Sequence, residues 1–313
     1  MSSLRYATLA PLALSLIALT GNAQAAGNGS VADGYVRIKL GGFTVIALSD
    51  GTMQMPAGKL LIPDPAHPDE VRDLLGKAFD GTVPTSDNAF LIDTGSQRVL
   101  IDAGGGQNLG PGMGQVVTHL RAAGYTPEQI DRVLITHLHP DHVGGIVHDG
   151  KAVFPNAVIG MSADEAAAWT TPQAAANPQT KDVAAKAIAA LAPYRATGHI
   201  ETFKSGATIV PGITAEERAG HTPGHTTYRV QSGGKTLLAW GDVVHVAAVQ
   251  FPDPKVTIHY DSVPAEAEAA RAALFAQAST DGEWIAAAHI AFPGIGHIAA
   301  GHDGAYVWQA LKP

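Results

Sequence analysis

The run THLHPDHVGG, residues 136–145, packs three histidines and an aspartate into the six positions from His137 to His142. Imidazole nitrogens and carboxylate oxygens at this density are the donor set of a divalent cation. If the run continues a strand, side chains alternate, so His137 and His139 project to one side and Leu138 to the other, and two imidazoles can grip one ion. Pro140 then turns the chain and brings Asp141 and His142 within reach of a second ion, while Gly144 and Gly145 let the backbone pass close by. Each ion needs roughly four to six donors, so this run alone cannot fill two sites. The chain supplies more: AGHTPGHTTY offers His221 and His225, Asp242 ends the apolar segment TLLAWGD, and His289 ends IAAAHI. Ligands at the C-terminal ends of buried strands stand where α/β proteins build their sites.

The elements that must position these residues follow from the pattern. With 313 residues, 46% of them hydrophobic, the chain can bury a large core. Residues 35–51 alternate as paired strands, broken by Gly41 and Gly42 and closed by Asp50-Gly51. A Pro-rich loop (56–68) leads to a short helix over 69–79. Residues 88–106 read as a strongly apolar hairpin turning at 94–97, GQVVTHLRAAGY as an amphipathic helix ended by Gly124, and IDRVLITH as a buried strand. A second hairpin spans 225–241 and an Ala-rich helix 264–279. Residues 163–194, interrupted by Pro172 and Pro178, are expected to form a helical insertion over the site. Two halves, each of strands followed by helices, suit a two-sheet sandwich with helices outside.

Composition excludes several classes. There is no cysteine, so neither disulfides nor thiolate metal ligands are available. A net charge of −8 without a basic run argues against nucleic acid as the main partner. Arg5, the apolar run 9–19 and the pair Ala23, Ala25 form a signal-peptide pattern over 1–25, with cleavage near Ala25; the apolar run is too short for the ~20 residues of a membrane span. A periplasmic or secreted protein is expected, with a flexible linker over 26–34.

The order His-x-His-x-Asp-His, Gly-His-Thr-Pro-Gly-His, strand-terminal Gly-Asp and a late His resembles the metallo-β-lactamase superfamily. The resemblance implies an α/β fold, the αβ/βα sandwich of two mixed sheets flanked by helices, as one hydrolase domain over 35–313. It also implies two divalent metal ions per chain: His137, His139 and His221 on the first, Asp141, His142 and His289 on the second, Asp242 bridging both, and His225 in support. Zinc is the default, and manganese, cobalt or iron also suit such donors. Asp102, at the end of a buried strand, is placed to orient a ligand; for Asp50, turn chemistry serves equally well. The remaining histidines, at 67, 119, 148, 199, 259, 297 and 302, read as ordinary.

The segments AGHTPGHTTY, GDVVHVAAVQFPDPKVTI and AHIAFPGIGHI, with NAFLIDTG and AAGYTPEQIDRVLITHLHPDHVGG, are similar to methyl parathion hydrolase and its lactonase-like relatives over essentially the whole mature chain. This branch implies small lactone, ester or phosphotriester substrates and a homodimer. Its pocket positions correspond to Leu109, Trp169, His245, Ile258 and Tyr260; the apolar segment 60–65 is a further candidate wall or contact surface. His245 stands where that hydrolase has an apolar residue, and an imidazole there favours a lactone over an aryl phosphotriester. Two ions about 3.5 Å apart would generate hydroxide near neutral pH from a bridging water, with Asp141 and Asp242 as the catalytic carboxylates. A β-lactamase is the weaker enzymatic rival, since one class requires cysteine and Asp242 fits the other poorly. An iron dioxygenase would not require Asp141, His142 and His289 together, and a non-catalytic metal binder would not require every ligand position filled.

Overall fold

The central strands are apolar at consecutive positions because both of their faces are covered. In the strand Val83–Asp93, Ala89 and Leu91 face a helical layer while Phe90 and Ile92 face a second sheet. The computed structural model describes residues 29–312, so the expected signal peptide lies outside the described residues.

The first sheet has eight strands side by side in chain order: Gly29–Ser30, Tyr35–Leu40, Phe43–Met55, Val83–Asp93, Arg98–Ile101, Arg132–Leu134, Val158–Ser162 and Ile200–Phe203. The first five pair antiparallel and the last three add in parallel. The second sheet runs Thr208–Val210, Ile213–Glu217, Thr226–Ser232, Lys235–Ala239, Trp284–Ala286, Ile295–Ala300 and Tyr306–Ala310, antiparallel except where Lys235–Ala239 meets Trp284–Ala286. Helices Val116–Ala122 and Lys181–Thr197 cover the first sheet with Leu120, Leu191 and Tyr194. Helix Pro264–Asp281 covers the second with Leu274 and Phe275. Between the sheets lies a third apolar layer, including Val45, Ile101, Leu134, Tyr228 and Ala286. Truncating a fully buried side chain such as Leu91 would cost about 2–5 kcal/mol. The four layers are the expected αβ/βα sandwich.

Three local expectations need correction. Asp50-Gly51 does not close the first hairpin; the pairing slips there as a bulge and the strand continues to Met55. The helix expected over 69–79 is Glu70–Leu75, stopped by Gly76 at φ 80°. In the segment expected as a linker, Gly29–Ser30 is instead an edge strand on Tyr35–Leu40, followed by a 3₁₀ turn. The helical insertion forms as Ala163–Trp169, Pro172–Ala176 and Lys181–Thr197, with Pro172 in the first turn of the second.

Candidate metal centre

Strands 98–101 and 132–134 run parallel, as do 235–239 and 284–286, so the residues just past their ends share one edge of the sandwich. Asp102, the run 136–142, Asp242 and His289 all follow these ends. Their ligand atoms form two groups: one atom each from His137, His139, His221 and Asp242 lies within 4.8 Å of the others, as does one each from Asp141, His142, Asp242 and His289. Asp242 belongs to both. Its Oδ2 is 3.3 Å from His221 Nε2 and 3.6 Å from His137 Nε2; its Oδ1 is 3.0 Å from His142 Nε2 and 3.2 Å from His289 Nε2. Asp141 Oδ2 stands 3.5 Å from His289 Nε2 and 3.7 Å from His142 Nε2.

Second ring nitrogens are held from behind. His142 Nδ1 reaches Asp102 Oδ2 at 2.9 Å, His221 Nδ1 reaches Asp261 Oδ1 at 2.8 Å, and His289 Nδ1 reaches the Ser86 carbonyl at 3.0 Å. Such partners fix ring orientation and leave Nε2 facing inward. Asp102 also accepts from the amide and hydroxyl of Thr136 and sits at φ 57°, a strained left-handed conformation for a non-glycine residue. Gly145 permits the close approach expected of it, since a Cβ there would lie 1.9 Å from the Ala103 carbonyl. His225 supports rather than joins the cluster: its Nε2 accepts from the Asp242 amide at 3.0 Å.

Whether a cation fits is decided by the inward atoms. His137 Nε2, His142 Nε2 and Asp242 Oδ1 are buried and make no hydrogen bond, though 3.0 Å separates the last two. Orphaned buried polar atoms are costly, and a nitrogen–oxygen donor set of this kind is matched by divalent metals. Charge agrees. Burial pushes the Asp242 carboxyl up, but His142, His289 and His137 outweigh it and hold it well below the usual range. Asp141 is likewise lowered, by His142 and His289 against burial. Burial alone would depress His221 and His289, yet the carboxylates of Asp242 and Asp261 or Asp141 raise both to about 9. His139, buried beside His221, falls to about 3. Protons and cations thus compete for these atoms.

Residues 82–289 match the family described as the metallo-β-lactamase superfamily. The chain belongs to the metallo-β-lactamase superfamily. It is similar to the solved structure of hydrolase AbOPH in the β-lactamase superfamily, at 40% identity over 89% of this chain and 98% of that one, with a TM-score of 0.81. The dizinc quorum-quenching lactonase AidC shares the fold at 24% identity over 89% of this chain and 98% of that one, with a TM-score of 0.77. Among curated proteins, a ribonuclease of Thermus thermophilus is 27% identical over 60% of this chain, and an atrochrysone carboxyl ACP thioesterase of Passalora fulva 43% identical over 22%. The aligned segments span 42% and 17% of those two relatives.

In this superfamily member the cluster floors a groove of about 380 Å³. Met53, Met55, Leu109 and Val183 give it apolar walls, with Tyr260 half exposed and Lys186 also lining it. Of the five expected substrate residues, Leu109, His245 and Tyr260 line the groove. Ile258 does not: its two-residue strand pairs with Leu61–Ile62, and its side chain is fully buried with Met55, Leu61 and Val246. Leu60 and Leu61 of the segment 60–65 pack in that apolar cluster. Trp169 is buried beside the groove-lining His139, its ring 5.7 Å from that of His139, edge-on. His245, nearly buried, puts Nε2 3.1 Å from Asp242 Oδ2. Asp50 accepts from the amides of Gly105, Gly114 and Val116, so it braces the loop bearing Leu109 and touches no ligand. Asp261, the Ser86 carbonyl and the bulge that extends 43–55 into the groove were not singled out from sequence. The only signal for Asp261 was an acidic residue beside Tyr260.

Proposed function

We propose that the chain is a binuclear hydrolase of small lactones and esters, with side activity on organophosphate triesters. The sharing of Asp242 between two histidine groups on the floor of an apolar groove carries this reading. Divalent ions bound there would supply Lewis acidity toward a carbonyl or phosphoryl oxygen and a water acidic enough to attack near neutral pH. The chain's own residues orient and move protons. Asp141, about a quarter exposed where Asp242 is buried, faces the groove, and its Oδ2 can take the proton released at the attacking water and pass it to the leaving oxygen. Apolar walls exclude water around a bound substrate and strengthen each polar contact on the floor. His245 gives the floor a polar edge beside Asp242, a good neighbour for a lactone ring oxygen and a poor one for an aryl leaving group. The lactonase among the structural relatives is consistent with this choice. A nuclease is disfavoured by the net charge of −8, although one relative is a ribonuclease. Export to the periplasm, zinc as the resident metal and a homodimer complete the proposal.

The test is a comparison of initial rates on a δ-lactone such as dihydrocoumarin, a long-chain acyl-homoserine lactone and methyl paraoxon. Lactone rates well above the phosphotriester rate are expected. A phosphotriester preference would favour a dedicated organophosphate hydrolase, and rates no better than free ions would defeat the proposal.

A further inference from the structure

Glu165 is a carboxylate with no exposed surface, far in sequence from every ligand, on the Ala-rich helix Ala163–Trp169. Its Oε1 accepts the Leu138 amide at 2.7 Å; its Oε2 accepts the Thr222 hydroxyl at 2.7 Å and the Gly224 amide at 3.0 Å. Leu138 separates His137 from His139, and Thr222 follows His221. One side chain thus ties together the two loops that supply all three histidines of the first group. Gly224 permits this closeness: a Cβ there would lie 2.1 Å from the Glu165 amide nitrogen. The same helix sets Trp169 against His139. Among the described residues, no hydrogen bond from Glu165 reaches Asp141, His142 or His289 or a residue adjacent to any of them in the sequence.

We infer that Glu165 is a positioning residue for the first metal group alone, holding His137 and His139 in register with His221. The inference rests on the two-ion reading above. Burying a carboxylate is costly unless its oxygens are satisfied, and here three donors converge on it, so the position needs acceptors on both oxygens. A glutamine would turn an NH₂ toward at least one donor and part the loops on one side. Fixing the Leu138 amide fixes the peptide plane between the two imidazoles, which no apolar packing of Leu138 can do as sharply. Loss of a group that orients ligands in this way typically costs ~10–100-fold in metal affinity.

The experiment is a cobalt titration of the full-length protein, wild type and Glu165→Gln, read by calorimetry and by the visible spectrum of bound cobalt, with circular dichroism to check folding. Thr222→Val, which removes one of the three donors, is the milder companion should Glu165→Gln fail to fold. Wild type is expected to take two ions; either variant should keep one at unchanged affinity and bind the other more weakly, by 10- to 100-fold in Glu165→Gln and less in Thr222→Val. In the His289→Ala background the Glu165→Gln effect should persist in full, and in the His221→Ala background it should largely vanish. Two ions held as tightly as in wild type, or both weakened equally, would overturn the role of Glu165. Fewer than two ions in wild type would instead overturn the two-ion reading on which it rests.

Discussion

The two ligand groups share Asp242 yet are braced by different parts of the molecule. His142 and His289 are held by Asp102, at the end of the strand Arg98–Ile101, and by the Ser86 carbonyl within the strand Val83–Asp93. His221 leans on Asp261, in the loop beyond a two-residue strand, and its loop is tied to that of His137 and His139 through Glu165 on the helical insertion. His142 and His289 therefore hang on the central sheet, whereas His221 leans on side chains of peripheral elements. The second group is thus anchored on the sheet itself, whereas His221 and the loop tie to His137 and His139 depend on buried side chains carried by peripheral elements.

Breaking the shared member should abolish the contrast. Asp242→Ala is expected to release both ions and lower hydrolysis by on the order of 10³-fold; normal turnover in that variant would refute the assignment of Asp242. Next, His221→Ala should empty the first group while leaving the second bound. His225→Ala should retain both ions and lose about 1–3 kcal/mol of stability, because His225 supports the Asp242 backbone. Metal counts and thermal melts on the pair decide this, and the reverse order would mean that the wrong histidine was chosen.

Sharper still is the pair of supporting carboxylates. Asp102→Asn should weaken the second ion by roughly 10–100-fold and the first less, through Thr136 beside His137, whereas Asp261→Asn should weaken the first by a similar factor; competition with a chelator measures both, and equal loss of both ions in either variant would erase the contrast. Acidity acts on the two groups together. His221 and His289 hold protons up to about pH 9, so an entering ion must displace them. Apparent affinity should rise by about tenfold per pH unit for each proton displaced and level off above pH 9, and flat affinity between pH 7 and 9 would contradict this. The smallest effect concerns the groove: His245→Leu should shift the aryl phosphotriester-to-lactone ratio upward by a few fold, and an unchanged ratio would remove His245 from the leaving-group side.

Much of the site was legible because ligand-type residues stand at the ends of buried apolar strands, where burial without a partner would be costly. His137, His139, Asp141, His142, His221, Asp242 and His289 carry that signature, and two mixed sheets follow from the double-sided strands. The supporting groups carry no such mark. Glu165 is one of two adjacent acids in an Ala-rich helix, Asp261 follows an exposed tyrosine, and the Ser86 contact is a carbonyl that any residue could present. Asp50-Gly51 resembles a turn in isolation, and only pairing with the strand 83–93 makes it a bulge. Ile258 was misplaced for a related reason: which face of a two-residue strand is buried depends on its partner Leu61–Ile62, far earlier in the sequence, through the pairs Thr257 to Ile62 and Ile258 to Leu61. Tertiary pairing, not local pattern, decided both.

The most direct test of the account returns zinc stepwise to chelator-treated protein while lactone hydrolysis is followed. If the proposed reaction needs both ions, activity emerges with the second equivalent per chain, because Asp242 belongs to both groups. Full activity at the first equivalent would contradict it.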